Sequence, residues 1–243
     1  MWAVRFARHT VRRLMDLLYP PVCVACGAVI PGESENGFCA NCRESIRPIG
    51  RERCPKCGFP FGPHVALRAA CPACRRGYPF RQAVAVFRYD GAIREAVHGW
   101  KYRHDLHAGA TLCNMFLAAL AEEDFLPRLD LVVPVPLHWR RRWQRRFNQS
   151  HLLARAVGKR FGISCSGRIL KRIRNTRSQV GLSPAERQEN VRGAFRVVRP
   201  AAVRQRKLLI VDDVFTTGAT TSECARVLRA AGAAAVYVAT LAR

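Results

Sequence analysis

Eight of the chain's eleven cysteines fall into two copies of one spacing, and that spacing leaves few folds open. Cys23 and Cys26 are followed after twelve residues by Cys39 and Cys42, and Cys54 and Cys57 after thirteen by Cys71 and Cys74. A CxxC turn presents two thiolates to one metal and a hairpin brings in the second pair. Each quartet can therefore close a tetrahedral four-thiolate zinc site. Four thiolates leave no position for a substrate, so both zincs are expected to be structural. Consecutive pairing is expected over interleaved pairing because it closes shorter loops. The competing reading is disulfide bonding, but a CxxC disulfide is a tight, usually redox-active loop, and the chain otherwise reads as cytoplasmic. Cys113, Cys165 and Cys224 stand outside the pattern and read as small buried apolar residues.

Around this module the texture of the chain changes twice. Residues 1–19 set Trp2, Phe6, Val11, Leu14, Leu17 and Leu18 against arginines, an amphipathic helix ended by Pro20-Pro21. Residues 20–80 are rich in glycine, proline and cysteine. Residues 81–243 alternate strand and helix signals, with strands expected at Ala83–Tyr89, Leu131–Val135, Ile169–Arg172, Leu208–Val211 and Ala235–Leu241. Helices are expected at Gly91–Tyr102, Ala108–Glu123, Asn148–Phe161, from the capping box Ser183–Glu186 onward, and at Thr220–Ala231. Such alternation argues a doubly wound α/β sheet. The longest uncharged stretch, Leu106–Ala121, is broken by His107, Thr111 and Asn114 and is too short to span a membrane. Arg5, Arg8, Arg12 and Arg13 interrupt any secretory signal.

The densest chemistry lies in Leu208–Glu223, LLIVDDVFTTGATTSE. An apolar strand ends in Asp212-Asp213, and Thr216-Thr217-Gly218-Ala219-Thr220 then turns into a helix, with Thr220 and Glu223 expected as its capping box. Converging backbone N–H groups, threonine hydroxyls and a glycine that lets the backbone approach suit a phosphate. No GxxxxGK[ST] motif is present, so nucleoside triphosphate hydrolysis is not supported. Two carboxylates beside a phosphate nest fit a ligand whose hydroxyls lie close to its phosphate, as in a pentose 5-phosphate.

This stretch closely resembles the phosphoribosyl diphosphate signature of type I phosphoribosyltransferases, with Phe215 where a smaller aliphatic is more usual. The resemblance implies that Asp212 and Asp213, the catalytic acids, hold the ribose hydroxyls and that Thr216 through Thr220 bind the 5-phosphate. Tyr89–Asp105, Val133–Ser150 and Arg174–Phe195 look like further blocks of the ComF competence-protein family, as does the cysteine module, a double zinc ribbon. The fold so implied is a type I phosphoribosyltransferase-like doubly wound parallel sheet preceded by a small double zinc ribbon. Also implied are Mg²⁺, a diphosphate loop at Pro136-Leu137-His138, a role in natural competence or the use of imported DNA, and other DNA-uptake proteins as partners. Arg146 departs from the family, which usually has glycine before Phe147-Asn148-Gln149.

Phosphoribosyl transfer lets a nitrogen nucleophile displace diphosphate through an oxocarbenium-like transition state, so cations must neutralise the leaving group. Lys101, Arg103, Arg140, Arg141, Arg174 and Arg177 are the candidates. No general base stands out, His138 and His151 being the available imidazoles. The net charge of +24 offers a second reading. Between Leu131 and Ala185 there are 13 Lys and Arg and no acid. Within that tract Trp139, Arg142, Trp143, Arg145 and Arg146 set arginines beside aromatics, the composition of a single-stranded DNA groove. Alternatively, the aromatics pack in the core and the arginines are merely solvated. Two functions stay open: a Mg²⁺-dependent phosphoribosyltransferase of unknown acceptor, and a non-catalytic single-stranded DNA-binding adaptor with a ligand-sensing phosphoribosyl site.

Overall fold

The β-branched runs of the second half become strands. In the computed structural model, which describes residues 20–30, 37–61, 71–74, 77–140, 143, 146–179 and 181–243, these are β1 (Gln82–Phe87), β2 (Leu131–Pro134), β3 (Leu170–Arg172), β4 (Phe195–Val197), β5 (Lys207–Val214) and β6 (Ala235–Ala242). The helix expected over residues 1–19 lies outside the described residues, as do Arg141, Arg142 and Arg145. The helices are α1 (Ala40–Glu44), α2 (Gly91–Tyr102), α3 (Leu106–Leu120), α4 (Gln149–Phe161), α5 (Pro184–Val191) and α6 (Ala219–Ala230).

Strands β1, β6, β5 and β2 lie side by side in that order, every pair parallel. Parallel sheets need cover on both faces, and the side-chain alternation of β5 shows how it is provided. Leu208 and Ile210 enter a cluster with Cys224, Ala225 and Leu228 of α6 and with Leu170 and Phe195 of the β3–β4 pair. Leu209 and Val211, equally buried, point to the other face, where α4 packs on β2 and β5 through a buried stripe that includes Leu153 and Val157. On β6, Val236 and Val238 join the first cluster while Tyr237 stacks on Phe125 with ring centroids 5.1 Å apart. The sheet is doubly wound, as the alternation of elements predicts. What the sequence reading missed is β4, which pairs antiparallel with β3; at three residues, neither strand is long enough for a periodicity to be read.

The chain divides into two compact units, and the division runs between the two cysteine modules. One unit holds the chain through Arg47 with Asp90–Leu112, the other Pro48–Tyr89 with Cys113–Arg243. In the first, Ser45 joins the ribbon to α2: its Oγ donates to the Cys42 carbonyl (2.8 Å) and accepts from the Ala92 N–H (3.1 Å). In the second, the Ile49 N–H donates to the Val86 carbonyl and the Arg243 guanidinium to the Cys57 carbonyl, fastening the second ribbon to the sheet.

Candidate functional site

The two ribbons are built alike. Cys23-Val24-Ala25-Cys26 and Cys54-Pro55-Lys56-Cys57 each make a knuckle closed by a glycine with positive φ, Gly27 (75°) and Gly58 (69°), whose N–H returns to the first cysteine's carbonyl. Only glycine takes that conformation without strain. The Sγ atoms of Cys23, Cys26, Cys39 and Cys42 lie within 4.8 Å of one another, as do those of Cys54, Cys57, Cys71 and Cys74. The pairing is consecutive, as loop length predicts. A tetrahedral zinc with Zn–S bonds of about 2.3 Å sets its sulfurs roughly 3.8 Å apart. The separations here are 3.8 Å for Cys26–Cys39, 3.6 Å for Cys54–Cys74 and 3.7 Å for Cys57–Cys71. These are far too long for a disulfide, and both quartets fit zinc. Burial pushes the Cys23 thiol up, but backbone N–H groups at Cys26, Cys39 and Ala25 outweigh it and hold the thiol at about 6, while burial and the neighbouring sulfurs push Cys42 of the same quartet up.

At the carboxyl end of the sheet, neighbouring strands bring the sequence's scattered candidates together. β2 and β5 run in register from Leu131↔Leu208 to Pro134↔Val211, and the Val135 N–H continues the ladder to the Val211 carbonyl. Pro136-Leu137-His138 therefore leaves β2 at the end where Asp212-Asp213 stand in the last residues of β5, a strand that runs on to Val214, past the Val211 expected from the sequence. Asn148 fixes the start of α4 there. Its side chain accepts from the Ser150 N–H (3.1 Å) and donates to the Val135 carbonyl (3.0 Å). Ser150 Oγ then donates to Asp212 Oδ1 (2.8 Å), which also accepts from the Asp213 N–H (2.9 Å). Ser150 thus orients the first acid, a role that no spacing in the sequence announces. Beside it, the buried Nε2 of Gln149 has no hydrogen-bond partner among the described residues.

Beyond the acids the chain turns at Gly218, which has φ 75° and ψ 7°. A Cβ there would stand 2.5 Å from Phe215 Cζ and 3.0 Å from Tyr78 Cε1. Helix α6 starts at Ala219, and its N-cap is Gly218 without any side-chain cap, so the expected Thr220–Glu223 capping box does not form. The two residues serve elsewhere. Thr220 Oγ1 accepts from Gln179 Nε2 (2.9 Å), while Glu223 accepts from the Gly193 N–H and from both Nε and an NH2 nitrogen of Arg226. Glu223 is nearly buried, yet these donors hold its carboxyl below the usual range against the upward push of burial. Among the described residues, no protein acceptor takes the N–H groups of Thr216, Thr217 and Gly218. Uncapped amides around a left-handed glycine make an anion nest.

The remaining candidates divide. Arg174 donates to the carbonyls of Asn190 and Arg192 at the end of α5, so its guanidinium is engaged in tying that helix down. Arg177 lies on the same segment, its carbonyl accepting from Asn190 Nδ2. Lys101 and Arg103 belong to the other unit, at the end of α2. His138 is buried and tilted against Trp139. Trp139 is 66% exposed and Trp143 84%, so these two do not pack in the core; the Arg140 guanidinium lies 5.3 Å above the Trp139 ring. Arg146 adopts φ 59°, a left-handed conformation that suits glycine.

One large cavity, of about 1180 Å³, borders the turn at Thr216–Thr217 and the start of α6. It opens between the second ribbon (Phe59, Tyr78), α5 (Gln188) and α6 (Ser222, Arg226), and Thr216 and Thr217 reach its edge, whereas Asp212 and Asp213 do not line it. Sequence reading had no signal for it, because its walls come from five separated stretches, around Phe59, Tyr78, Gln188, Ser222 and Arg243.

Comparison with known proteins bears on both halves. The family model of the double zinc ribbon domain matches residues 14–75. The DNA utilization protein YhgH of Salmonella typhi is 34% identical over 226 residues, covering 91% of this chain and 96% of that one. Competence protein F of Haemophilus influenzae is 28% identical over 86% of this chain and 92% of its own length. Competence protein ComFC of Bacillus subtilis is 28% identical over 81% of this chain and 80% of its own.

Proposed function

Because this chain belongs to the family of DNA utilization protein YhgH and competence protein F, we propose that it binds phosphoribosyl diphosphate with Mg²⁺ in the use of imported DNA. The observation that carries the reading is the meeting, at one end of a parallel sheet, of an oriented acidic pair and an uncapped glycine turn. Ligands of doubly wound sheets bind at that end. Thr216 through Thr220 hold the 5-phosphate with backbone N–H and hydroxyl donors. Asp212 and Asp213 accept from the ribose hydroxyls, Ser150 fixing the first of them. Pro136-Leu137-His138 faces the diphosphate, with Arg140 nearby in sequence to neutralise it.

Carboxylate oxygens suit Mg²⁺, which is held by one or two such groups together with substrate phosphates. Asp212 and Asp213 would hold it, and it would neutralise charge on the leaving diphosphate. The chain's own residues would hold the ribose while a nitrogen nucleophile attacks the anomeric carbon and the bond to diphosphate breaks. The test is calorimetric titration of phosphoribosyl diphosphate, with and without Mg²⁺, into wild type and the Asp212→Asn/Asp213→Asn double variant. Mg²⁺-dependent binding lost in the variant, with zinc content unchanged, is the expected result. Retained affinity in the variant overturns the site assignment.

The exposure of Trp139 and Trp143 beside arginines favours a second role, as an adaptor for single-stranded DNA. Phosphate contacts make such binding fall steeply with salt, and exposed rings offer stacking surfaces. Oligonucleotide affinity that survives both about 0.5 M salt and the triple change Arg140→Ala, Arg141→Ala, Arg145→Ala would sink this reading.

A further inference from the structure

We propose that Cys26 is a site of oxidation by peroxides and that the first ribbon is thereby a redox switch, its quartet closing a Cys26–Cys39 disulfide and giving up its metal while the second ribbon resists. The two quartets share one chemistry and differ in their surroundings. Among the described residues Cys26 is the one exposed cysteine, with Cys39 and Cys42 half-buried beside it. In the second quartet Cys54 and Cys57 are buried, and Cys71 and Cys74 are only half-exposed. The knuckle glycines differ in the same way. A Cβ on Gly58 would stand 2.7 Å from the Ala83 carbonyl oxygen, whereas among the described residues nothing lies within 4 Å of a Cβ on Gly27. The second knuckle is also clamped to the sheet. The Ala83 N–H donates to the Lys56 carbonyl at 2.9 Å, and the Arg243 guanidinium donates to the Cys57 carbonyl.

Zinc ligation keeps all eight cysteines as thiolates, so access decides which of them an oxidant reaches. Cys26 Sγ attacks one oxygen of hydrogen peroxide; the O–O bond breaks, hydroxide leaves, and a sulfenic acid remains on Cys26. Cys39 Sγ, 3.8 Å away, then attacks that sulfur and displaces its oxygen as a second hydroxide. Two thiolates have lost two electrons, and the peroxide has been reduced to two hydroxides. The sulfurs close to the roughly 2.05 Å of a disulfide, and Cys23 and Cys42 alone are half of a tetrahedral site. The change has a route out of the ribbon. Helix α2 has no side-chain cap from Asp90; instead Ser45 Oγ accepts from the Ala92 N–H while donating to the Cys42 carbonyl. With Cys42 released, Ser45 is no longer fixed, and the first turn of α2 loosens.

The experiment exposes the zinc-loaded full chain to hydrogen peroxide. Zinc release is followed with a chromogenic chelator, disulfides by peptide mass spectrometry, and α2 by hydrogen exchange. One of the two zinc equivalents is expected to leave, with a Cys26–Cys39 linkage in the peptides and faster exchange at Ala92. A dithiol reductant with added zinc should reverse all three. Cys26→His keeps a zinc ligand and removes the oxidisable sulfur, so it should hold two zincs and slow release about tenfold or more. Cys71→His, in the second ribbon, should release its zinc as wild type does. Oxidation mapped first to the second quartet, release insensitive to Cys26→His, or no release at all overturns the proposal. Unchanged exchange at Ala92 in the oxidised protein overturns the transmission to α2. If Cys26→His does not hold two zincs, the peptide map of the wild type decides.

Discussion

Replacing Gly218 by alanine separates two physical effects that the turn into α6 combines. The first is conformational: at φ 75° a residue bearing a Cβ pays about 1–2 kcal/mol. The second is steric. The new methyl would lie 2.5 Å from Phe215 Cζ and 3.0 Å from Tyr78 Cε1. Phe215 cannot swing aside, being buried edge-on against Phe80 and covered by the Arg243 guanidinium at 4.7 Å. Overpacking of a fixed core costs roughly 1–3 kcal/mol, so the two effects together amount to about 2–5 kcal/mol. For a folded unit of this size each kcal/mol moves the melting temperature by about 2–4 °C. Thermal unfolding of Gly218→Ala should therefore start at least 4 °C lower, at about the minimum of those two ranges combined. Gly162→Ala is the control, because Gly162 has φ 67° and nothing within 4 Å of its hypothetical Cβ. It should show only the conformational share. Equal shifts in the two variants would refute the steric argument, and an unchanged Gly218→Ala protein with unchanged phosphoribosyl diphosphate affinity would refute both.

Three further outcomes are expected. Glu223→Gln should flatten the acid limb of stability: the carboxyl's folded value lies below its unfolded one, so its contribution is present above the unfolded value near 4.5 and disappears as pH falls through the folded value, which urea midpoints across pH 3–7 would follow. Arg146→Gly should stabilise the protein by about 0.5–1 kcal/mol by relieving a left-handed arginine, read from a denaturant midpoint, and a lower midpoint would count against the strain. Cys39→Ser should reduce bound zinc from two equivalents to one while leaving the α/β spectrum intact; two equivalents remaining in the variant would contradict the quartet assignment.

What could be read from the amino-acid sequence was whatever depends on local spacing. The CxxC pairs, the β-branched strands and the DDxxTTGAT turn each carry their signal within a few residues, and the structure places each where spacing puts it. Contacts between distant stretches carried no such signal. Ser150 meets Asp212 across 62 positions, Gln179 meets Thr220 across 41, and Tyr78 meets Thr217 across 139. The Thr220–Glu223 expectation failed for the same reason. Local pattern favours a capping box, but Glu223 has Gly193 and Arg226 as partners, and only the packing of α6 against the segment after α5 brings Gly193 within reach. The aromatic–arginine tract was ambiguous because its spacing suits a buried stripe and an exposed one equally, and only the exposure of Trp139 and Trp143 decides.

The strand order also governs how this chain can be made. Of the four strands of this sheet β1 and β2 leave the ribosome before the others, yet they occupy opposite edges, with β6 and β5 between them. Neither can pair with the other, so a nascent chain ending before Lys207 carries two apolar strands with no sheet partner, the kind of unpaired edge that seeds aggregation. Completion waits for Lys207–Val214 and Ala235–Ala242, which supply the whole centre of the sheet. The sheet therefore cannot close until its two middle strands have emerged, and a lesion in β5 or β6 strands both edges at once.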